Sequence, residues 1–398
     1  MESKKLKQIA LDLKEKIEVG LEKDEQEIRC LPTFITPKTT DINGQAVVLD
    51  LGGTNYRIAR VDFTDGKPTI YPENGWKRDL SEMKSKNYTQ KDLHKAQADP
   101  LGEIRLENAE NTPVGYCFSY STQSLTNGDA KLLYWRKGVD IPEMVGELVG
   151  QPLLNYFEKE KQLKFKGIKV INDTVASLFA GLTKPNHDAY IGLIVGTGTN
   201  MATLIRTDKI KKLSKEGKEV GEKIPVNLES GNFHPQHLTI YDEMVDANSD
   251  NKGAQRFEKA ISGMYLGEIF KSIYPQDEFE EKFDAETLTT MLSYPARYKD
   301  EYVATARWIY ERSAQLVAAS LTGLILVLLS HTPTTKSILL TAEGSLFWST
   351  NRKGKNYSKM VMEELYCLLK DFKHEDIQVE LHQLDNANLI GTAIAALS

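Results

Sequence analysis

The first thirty positions of the chain carry hydrophobic residues at helical spacing. The apolar positions of this segment are Leu6, Ile9, Leu13, Ile17 and Leu21. Their separation by three or four residues predicts one amphipathic helix over residues 6–29. Pro32 favours an end to this helix, because proline disfavours helical backbone in the residue before it.

Beyond residue 45 the pattern changes to short apolar runs that alternate with glycine turns and longer helical stretches. Strands are predicted at 46–51, 56–61, after the turn at 65–66, and at 115–120, 131–135, 167–171, 190–195, 201–205, 337–340 and 377–381. Helices are predicted from 142 to about 161, at 175–182, over much of the chain after 255 with a buried stretch at 313–330, and after 389. Residues 71–112 show little periodicity. The alternation of strands and helices predicts the α/β fold class.

Length, net charge and cysteine content limit the classes of protein to which the chain can belong. The chain has 398 residues, enough for two or three domains. Its net charge of -6 argues against a general nucleic-acid binder, which needs a basic face. Its three cysteines, Cys30, Cys117 and Cys367, lie far apart without metal-ligand spacing, which favours a reducing compartment.

The same composition leads us to expect a cytoplasmic protein without a membrane span. The N-terminal residues are charged throughout, unlike the apolar core of a signal peptide. The longest apolar stretch, 313–330, is interrupted by polar residues and is expected to be a buried helix. The pair His234 and His237 does not suggest a metal site, because Pro235 breaks their helical spacing and no third acid lies nearby.

Two segments share a strand, glycine-threonine turn and strand pattern. They are 47–61 (VVLDLGGTNYRIARV) and 191–205 (IGLIVGTGTNMATLI). Backbone amides in such a turn can converge on a phosphate oxygen, and glycine allows the close approach. One copy alone is more often just a tight turn. Two copies suggest two similar domains that face a cleft, and neither copy fits the P-loop pattern.

Several motifs in order along the chain resemble the hexokinase family, within the actin-like ATPase superfamily. They are 30–34 (CLPTF), 49–57 (LDLGGTNYR), 118–120 (FSY), 135–138 (WRKG), 171–178 (INDTVASL), 192–200 (GLIVGTGTN), 227–233 (NLESGNF), 256–269 (RFEKAISGMYLGEI) and, more weakly, 340–347 (LTAEGSLF). The resemblance implies two actin-like ATPase (ribonuclease H-like) α/β domains flanking a cleft. We expect a helix and linker at 1–40 packed on the large domain, a small domain at 41–187 and a large domain at 188–398.

The resemblance also implies a catalytic pair, Asp173 and Lys137. Asp173 follows a predicted strand and precedes a helix, where an Asp is commonly a helix N-cap. The family's Asp in this motif is instead the general base for the sugar hydroxyl. Lys137 resembles the lysine that reaches both the sugar loop and the ATP phosphates, and by itself it reads as a surface lysine.

The remaining site residues are carried over from the family motifs. The sugar ligands implied are Ser119, Lys137, Asn172, Asp173, Asn200, Glu229, Gln255 and Glu258. The ATP ligands implied are Asp50, Gly52, Gly53, Thr54, Asn55, Arg57, Thr197, Gly198, Gly344 and Ser345. Carboxylates and amides suit a hexose, whose hydroxyls both donate and accept hydrogen bonds, although isolated glutamates are usually solvated. The cofactors expected are ATP and Mg²⁺, the metal held mainly by nucleotide oxygens and water with Asp50 nearby.

Departures from the family pattern leave nucleotide contacts and sugar selectivity open. Three single positions differ: Arg136 stands where the family usually has Thr, Ser121 where it usually has Pro, and Glu343 where it usually has Asp. Segment 227–233 lacks the Trp that the family usually carries there, and segment 385–397 lacks most of the usual Gly-Ser-Gly segment. The function implied is transfer of the ATP γ-phosphoryl group to the 6-hydroxyl of glucose and other hexoses, the first step of glycolysis. A catalytically silent sugar sensor and an ATPase without sugar are the alternatives, and monomer and homodimer both remain open.

Overall fold

The structure is a computed structural model that describes residues 1–38, 41–135, 138–213, 222–280, 282–351 and 356–398. The helices in these residues are α1 (Ser3–Glu22), α2 (Gln90–Ala98), α3 (Gln151–Lys161), α4 (Asp173–Ala180), α5 (Ile240–Ala247), α6 (Arg256–Ile261), α7 (Gly263–Ile273), α8 (Ala285–Ser293), α9 (Asp300–His331), α10 (Tyr357–Asp371) and α11 (Ala387–Leu397). The strands are β1 (Leu31–Pro32), β2 (Gly44–Gly52), β3 (Asn55–Thr64), β4 (Lys67–Asp79), β5 (Val114–Phe118), β6 (Ser121–Ser124), β7 (Ala130–Tyr134), β8 (Ile168–Ile171), β9 (Ala189–Val195), β10 (Thr199–Arg206), β11 (Lys223–Asn227), β12 (Ser337–Glu343) and β13 (Gln378–His382).

The first half of the chain forms a five-stranded sheet in the order β4-β3-β2-β5-β8. β2, β3 and β4 run as an antiparallel meander, whereas β2, β5 and β8 are parallel. Residues 46–51 of β2 are all buried, because both faces of the sheet are covered. Val47 and Leu49 face a core shared with α2 and α3, and Val48 faces a core shared with α4 and α11.

The second half forms a six-stranded sheet in the order β1-β11-β10-β9-β12-β13. β1, β11, β10 and β9 are antiparallel neighbours, and β9, β12 and β13 are parallel. Helix α1 packs on α9, and both contribute to the core under this sheet. Gly323 permits their close approach, because a Cβ there would lie 2.6 Å from the carbonyl oxygen of Ala10.

Helices α4 and α11 lie between the two sheets. α4 contacts β9, β10 and β12, while α11 contacts α4, β2 and β5. The two helices pack closely, since a Cβ on Gly391 would lie 1.8 Å from the carbonyl oxygen of Ala176. The division of the chain at residue 187 stays a prediction. Our prediction places residues 387–397 in the large domain, whereas they pack on the five-stranded sheet.

The α/β class is confirmed, and the predicted strands are present with shifted ends. The predicted helix from 142 to 161 is wrong over its first half. Only a short 3-10 turn forms at Pro142–Met144, Gly146 then takes a φ of 84°, and the helix begins at Gln151. Glycine at positive φ interrupts a helix, and this explains the difference.

Helix α2 lies in the stretch that periodicity did not resolve. Its start carries a capping box, in which the Thr89 side chain accepts from the Asp92 amide and the Asp92 side chain accepts from the Thr89 amide. This local signal was present in the sequence.

Within the described residues, α9 is the one helix long and apolar enough to cross a membrane. In its most apolar window, 89% of the residues are buried inside the molecule. This burial is typical of a core helix and agrees with the predicted buried stretch at 313–330.

Candidate active site

Three parallel strands of the five-stranded sheet end at the same edge. Asp50 in β2 pairs with Cys117 in β5, and Cys117 pairs with Ile171 in β8. The residues that follow these strands therefore lie side by side, at the edge where α/β proteins bind ligands. The predicted residues Gly52, Ser119, Asn172 and Asp173 all fall at this edge.

The first glycine turn is held by contacts from two neighbouring segments. Gly52 pairs with Asn55, and Gly53 has a φ of 65°, which favours glycine. The Tyr120 hydroxyl donates to the Gly53 carbonyl at 2.7 Å, and the Leu80 amide donates to the Thr54 carbonyl at 2.7 Å. Both contacts use carbonyl groups of the turn. A Cβ at Gly52 would lie 3.9 Å from the Ser119 hydroxyl, so the FSY loop lies against this turn.

Asp50 and Arg57 form an ion pair beneath the turn. Arg57 donates from Nε at 2.9 Å and from Nη2 at 2.5 Å to Oδ2 of Asp50. Burial alone would lower the pKa of Arg57, but the Asp50 carboxylate outweighs burial and the pKa is raised. Asp50 is only 4% exposed, and its Oδ1 has no hydrogen-bond partner among the described residues. A buried carboxylate oxygen without a hydrogen-bond partner is costly. Such an oxygen fits a site that binds a cation or a water molecule coordinated to one.

Asp173 is the first residue of α4, and Asn172 takes the N-cap position. The Asn172 side chain accepts a hydrogen bond from the Thr174 amide at 2.9 Å, with extended backbone at Asn172. Asp173 Oδ1 also accepts from the Thr174 amide at 2.8 Å. The helix N-terminus favours a negative charge at Asp173. Asn172 therefore takes the N-cap position, and Asp173 is not the N-cap, although its Oδ1 accepts from the same amide.

Groups from both sheets share one electrostatic environment around Asp173. Burial raises the pKa of Glu343, at the end of β12, to about 7. Arg57 opposes this rise, while Asp50 and Asp173 add to it. Burial also raises the pKa of the Cys117 thiol, and the same two aspartates raise it further. The charge on Glu343 of the six-stranded sheet is therefore coupled electrostatically to Asp50 and Asp173 of the five-stranded half.

The second glycine turn lies against the predicted nucleoside turn. In the β9–β10 hairpin, the Gly196 amide donates to the Gly198 carbonyl at 2.9 Å. A Cβ at Gly196 would lie 3.3 Å from Cα of Gly344 and 3.7 Å from the Ser345 amide nitrogen. Gly344 has a φ of 113°, a conformation that favours glycine. The structure therefore brings together Thr197, Gly198, Gly344 and Ser345, which the sequence assigned to ATP.

The predicted sugar residues of the large sheet are joined by hydrogen bonds. Asn200 donates to Asn227 at 2.7 Å, and Asn227 donates to Glu229 at 2.9 Å. Oε2 of Glu258 accepts from the amide of Thr199, beside Asn200, at 2.9 Å. Asn227 is missing from our predicted set, although it connects two members of that set.

Gln255 joins this group through α6. It precedes the helix, and Asn251 donates to its side-chain oxygen at 2.8 Å. Glu258 follows one turn later. The loop of Glu229 packs on the same helix, since a Cβ at Gly231 would lie 3.4 Å from Cβ of Glu258. Lys137, with Arg136, lies outside the described residues, so its predicted roles stay predictions.

A cavity of about 370 Å³ lies beside the first glycine turn. Its lining residues are Asn55, Tyr56, Arg57, Lys77, Arg78 and Asp79. In the register of β3 and β4, Lys77 lies opposite Arg57, and Arg78 lies opposite Tyr56. Sequence reasoning missed both cations, because they fall in the stretch without periodicity. Three basic side chains beside a glycine turn suit a phosphate chain. Two of them also have carboxylate partners in this structure, Arg57 with Asp50 and Arg78 with Glu82.

Comparison with known proteins places these observations in a family. Two family models, both described as Hexokinase, match residues 1–182 and 190–305. Hexokinase-2 of Schizosaccharomyces pombe is 33% identical over 266 residues, which cover 63% of this chain and 57% of that protein. Glucokinase of Aspergillus niger is 33% identical over 291 residues, which cover 65% of this chain and 58% of that protein. The chain thus matches less than two thirds of the length of these relatives.

Solved structures share the fold over the whole chain. A hexokinase from Schistosoma mansoni complexed with glucose covers 100% of this chain, with a TM-score of 0.79 and 23% identity. A second hexokinase crystal structure has a TM-score of 0.81 and 24% identity. The predicted actin-like ATPase fold is confirmed by this likeness. With both family models matched in chain order, the protein belongs to the hexokinase family.

Proposed function

We propose that this protein is an ATP-dependent hexose kinase that transfers the γ-phosphoryl group of ATP to the 6-hydroxyl of glucose. The observation that carries the proposal is the placement of Asp173 and the Asp50–Arg57 pair at one edge of the parallel strands β2, β5 and β8, beside a glycine turn. Family membership and the similarity to a glucokinase support a sugar as the acceptor.

Asp173 acts on the acceptor. As the 6-hydroxyl oxygen attacks the γ-phosphorus, the Asp173 carboxylate takes the hydroxyl proton. The bond from the γ-phosphorus to the β-phosphate oxygen breaks, and the products are hexose 6-phosphate, ADP and a proton. A positioned base contributes roughly 10²–10⁴-fold to such a step.

Basic side chains and backbone amides of the glycine turns would bind the phosphate groups of ATP. Arg57, Lys77 and Arg78 line the cavity beside the first turn and would neutralise phosphate oxygens. Thr197 and Gly198, in the second glycine turn, would bind the ATP phosphates through their backbone amides. Bound Mg²⁺ would supply charge neutralisation on the nucleotide, near the unpartnered oxygen of Asp50.

Asn200, Glu229, Gln255 and Glu258 of the six-stranded half hold the sugar ring. Each offers an acceptor oxygen, and the two amides also donate, which matches hydroxyls that do both. Ser119 and Asn172 would contact the ring from the other sheet. Mannose and fructose present a similar 6-hydroxyl and are proposed as further substrates.

A coupled assay for ADP release tests the proposal. With Mg-ATP, release should depend on hexose, and a panel of kcat/KM values would rank glucose, mannose and fructose. ADP release at the same rate without sugar would favour an ATPase. Glucose binding without ADP release would favour the silent sensor. Either result would overturn the proposal.

We also propose that the protein acts in the cytoplasm, as a first step of glycolysis. Its three cysteines are free, and two of them are buried, which suits a reducing compartment. Imaging of a fluorescent fusion would test the location.

A further inference from the structure

Three charged side chains are buried beneath the predicted sugar residues. Lys259 is 1% exposed, Arg256 is 6% exposed and Asp246 is 7% exposed. Buried charges are costly unless they are paired and hydrogen-bonded. None of the three belongs to the set of residues proposed to bind sugar or ATP.

Asp246, near the end of α5, accepts hydrogen bonds from three sources. Lys259 donates to its Oδ1 at 2.6 Å, and Arg256 donates to its Oδ2 at 3.3 Å. The amide of Gly253 donates to both oxygens, at 3.0 and 2.9 Å. Burial alone would raise the pKa of Asp246, but these donors outweigh it and the pKa is lowered. The carboxylate is therefore ionised and fixes both α6 and the loop before it.

Lys259 extends the contacts to the side chain of Gln255. Its ammonium group also donates to the carbonyl of Asn251 at 2.9 Å. The side chain of that Asn251 donates to Oε1 of Gln255 at 2.8 Å. A continuous chain of contacts thus runs from the buried carboxylate to an amide proposed to bind sugar.

The backbone at Gln255 requires such support. Its φ is 54°, in the left-handed region, which is unfavourable for a residue other than glycine. Such a conformation persists where the surrounding contacts determine it. Gln255 leads into α6, so the same contacts also set the orientation of Glu258 one turn later.

We propose that Asp246 and Lys259 are a buried positioning pair that sets sugar affinity by holding Gln255 and Glu258 in place. The pair acts through Asn251 and Gly253. This inference rests on the proposed function, since it assigns the two held residues to the sugar site.

Two variants test the pair, each compared with the wild-type chain. Asp246→Asn removes the charge that pairs with Lys259, and Asn251→Ala removes only the side-chain contact to Gln255. Asp246→Asn should raise the KM for glucose about tenfold or more, and Asn251→Ala by roughly fivefold, since misplaced ligands lose binding. The KM for ATP should change less than about twofold in both. Calorimetry with glucose alone should show the same weakening.

The control is a second buried ion pair that starts on the same helix. Asp242 of α5 pairs with Arg312 of α9 at 2.6 Å, and their side chains are 2% and 3% exposed. Asp242→Asn should lower the melting temperature while leaving the KM for glucose within about twofold. A purely structural role of Asp246 would move the melting temperature alone.

Two results would overturn the inference. In one, Asn251→Ala and any folded Asp246→Asn protein bind glucose like the wild type. In the other, Asp242→Asn weakens glucose binding as much as Asp246→Asn does. If Asp246→Asn does not fold, the variant at the half-buried Asn251 decides alone. A wild-type protein without hexose-dependent ADP release would instead refute the proposed function.

Discussion

The two sheets place their candidate residues in different ways. In the five-stranded half, Asp50 lies within β2, where ladder hydrogen bonds fix its backbone, and Asp173 opens α4, separated from the end of β8 by one residue. In the six-stranded half, Glu229 and Gln255 lie outside strands with φ values of 57° and 54°. Those residues are held by side chains such as Asn227 and Asn251. The sheet topology therefore sets the positions of the first group of residues, and side-chain hydrogen bonds set the positions of the second group.

This difference gives an expectation for mutations. In the first group, a substitution should change chemistry with little effect on neighbours. In the second, substitutions in supporting residues should weaken binding as well. The following variants test the contrast.

The largest effect is expected for Asp173→Ala. Loss of the base should lower kcat by at least roughly 10²-fold, while sugar affinity changes only a few-fold, because the strand ladder and the Asn172 cap remain. Steady-state kinetics and glucose calorimetry measure the two effects. Turnover close to the wild-type value would exclude Asp173 as the base.

Glu258→Ala should raise the KM for glucose by roughly 30-fold, far more than the KM for ATP. A hydrogen bond to a charged group contributes about 1.5–3 kcal/mol, and the sugar loses it. The Thr199 amide loses its acceptor as well. Kinetics with each substrate varied in turn provide the measurement, and equal rises in both KM values would remove Glu258 from the sugar site.

Glu343→Gln should change how stability depends on pH. The pKa of Glu343 rises from 4.5 to about 7 on folding, so the native state holds a proton that the unfolded state has released between these values. Stability from this group is therefore present below about pH 4.5 and is lost as the pH rises toward 7. Above pH 7 the Gln variant should be more stable by on the order of 2–3 kcal/mol.

Urea unfolding of both proteins at pH 5.5 and pH 8 measures this difference. The stability gap should widen at the higher pH. A gap of equal size at the two pH values would show that Glu343 does not titrate there.

The smallest effect is expected for Gly198→Ala. The new Cβ would lie 2.5 Å from Oε2 of Glu258, and the flexible carboxylate would have to move away from the Thr199 amide. The KM for glucose should rise about 3–10-fold, less than for Glu258→Ala. Gly102→Ala is the control, because a Cβ there meets open space. Unchanged kinetics in Gly198→Ala would show that this contact does not position Glu258.

Sequence reasoning found the groups that local pattern determines. The two glycine turns, the strand before Asp173 and the buried helix α9 were predicted, because each follows from short-range periodicity or turn chemistry. The predicted helix over 142–150 failed because glycine at positive φ overrides apolar spacing. Helix α2 was missed because its signal is the Thr89–Asp92 capping box and not its periodicity.

Lys77 shows why part of the site could not be predicted. Thr64 pairs with Lys67 across the hairpin, and counting back from that pair would place Asn74 opposite Arg57. The register between β3 and β4 shifts between Ile58 and Arg60, so Lys77 and not Asn74 lies opposite Arg57. Asn227 was not predicted as a site residue, and Glu343 was noted only as a departure from the family pattern, for a related reason. Asn200, which donates to Asn227, and the charged groups Asp50 and Arg57, which act on Glu343, are distant from them in sequence, and no local pattern specifies such contacts.

The position of α11 affects the order in which the protein can fold during synthesis. The strands of the five-stranded sheet are complete once residue 171 has been made, yet one face of that sheet is covered by residues 387–397. Until those residues leave the ribosome, Val48 and Val61 lack the part of their apolar cover that α11 provides. We therefore expect the half that carries Asp50 and Asp173 to be open to proteases and chaperones during that time. Pulse proteolysis of stalled nascent chains would reveal that vulnerable interval.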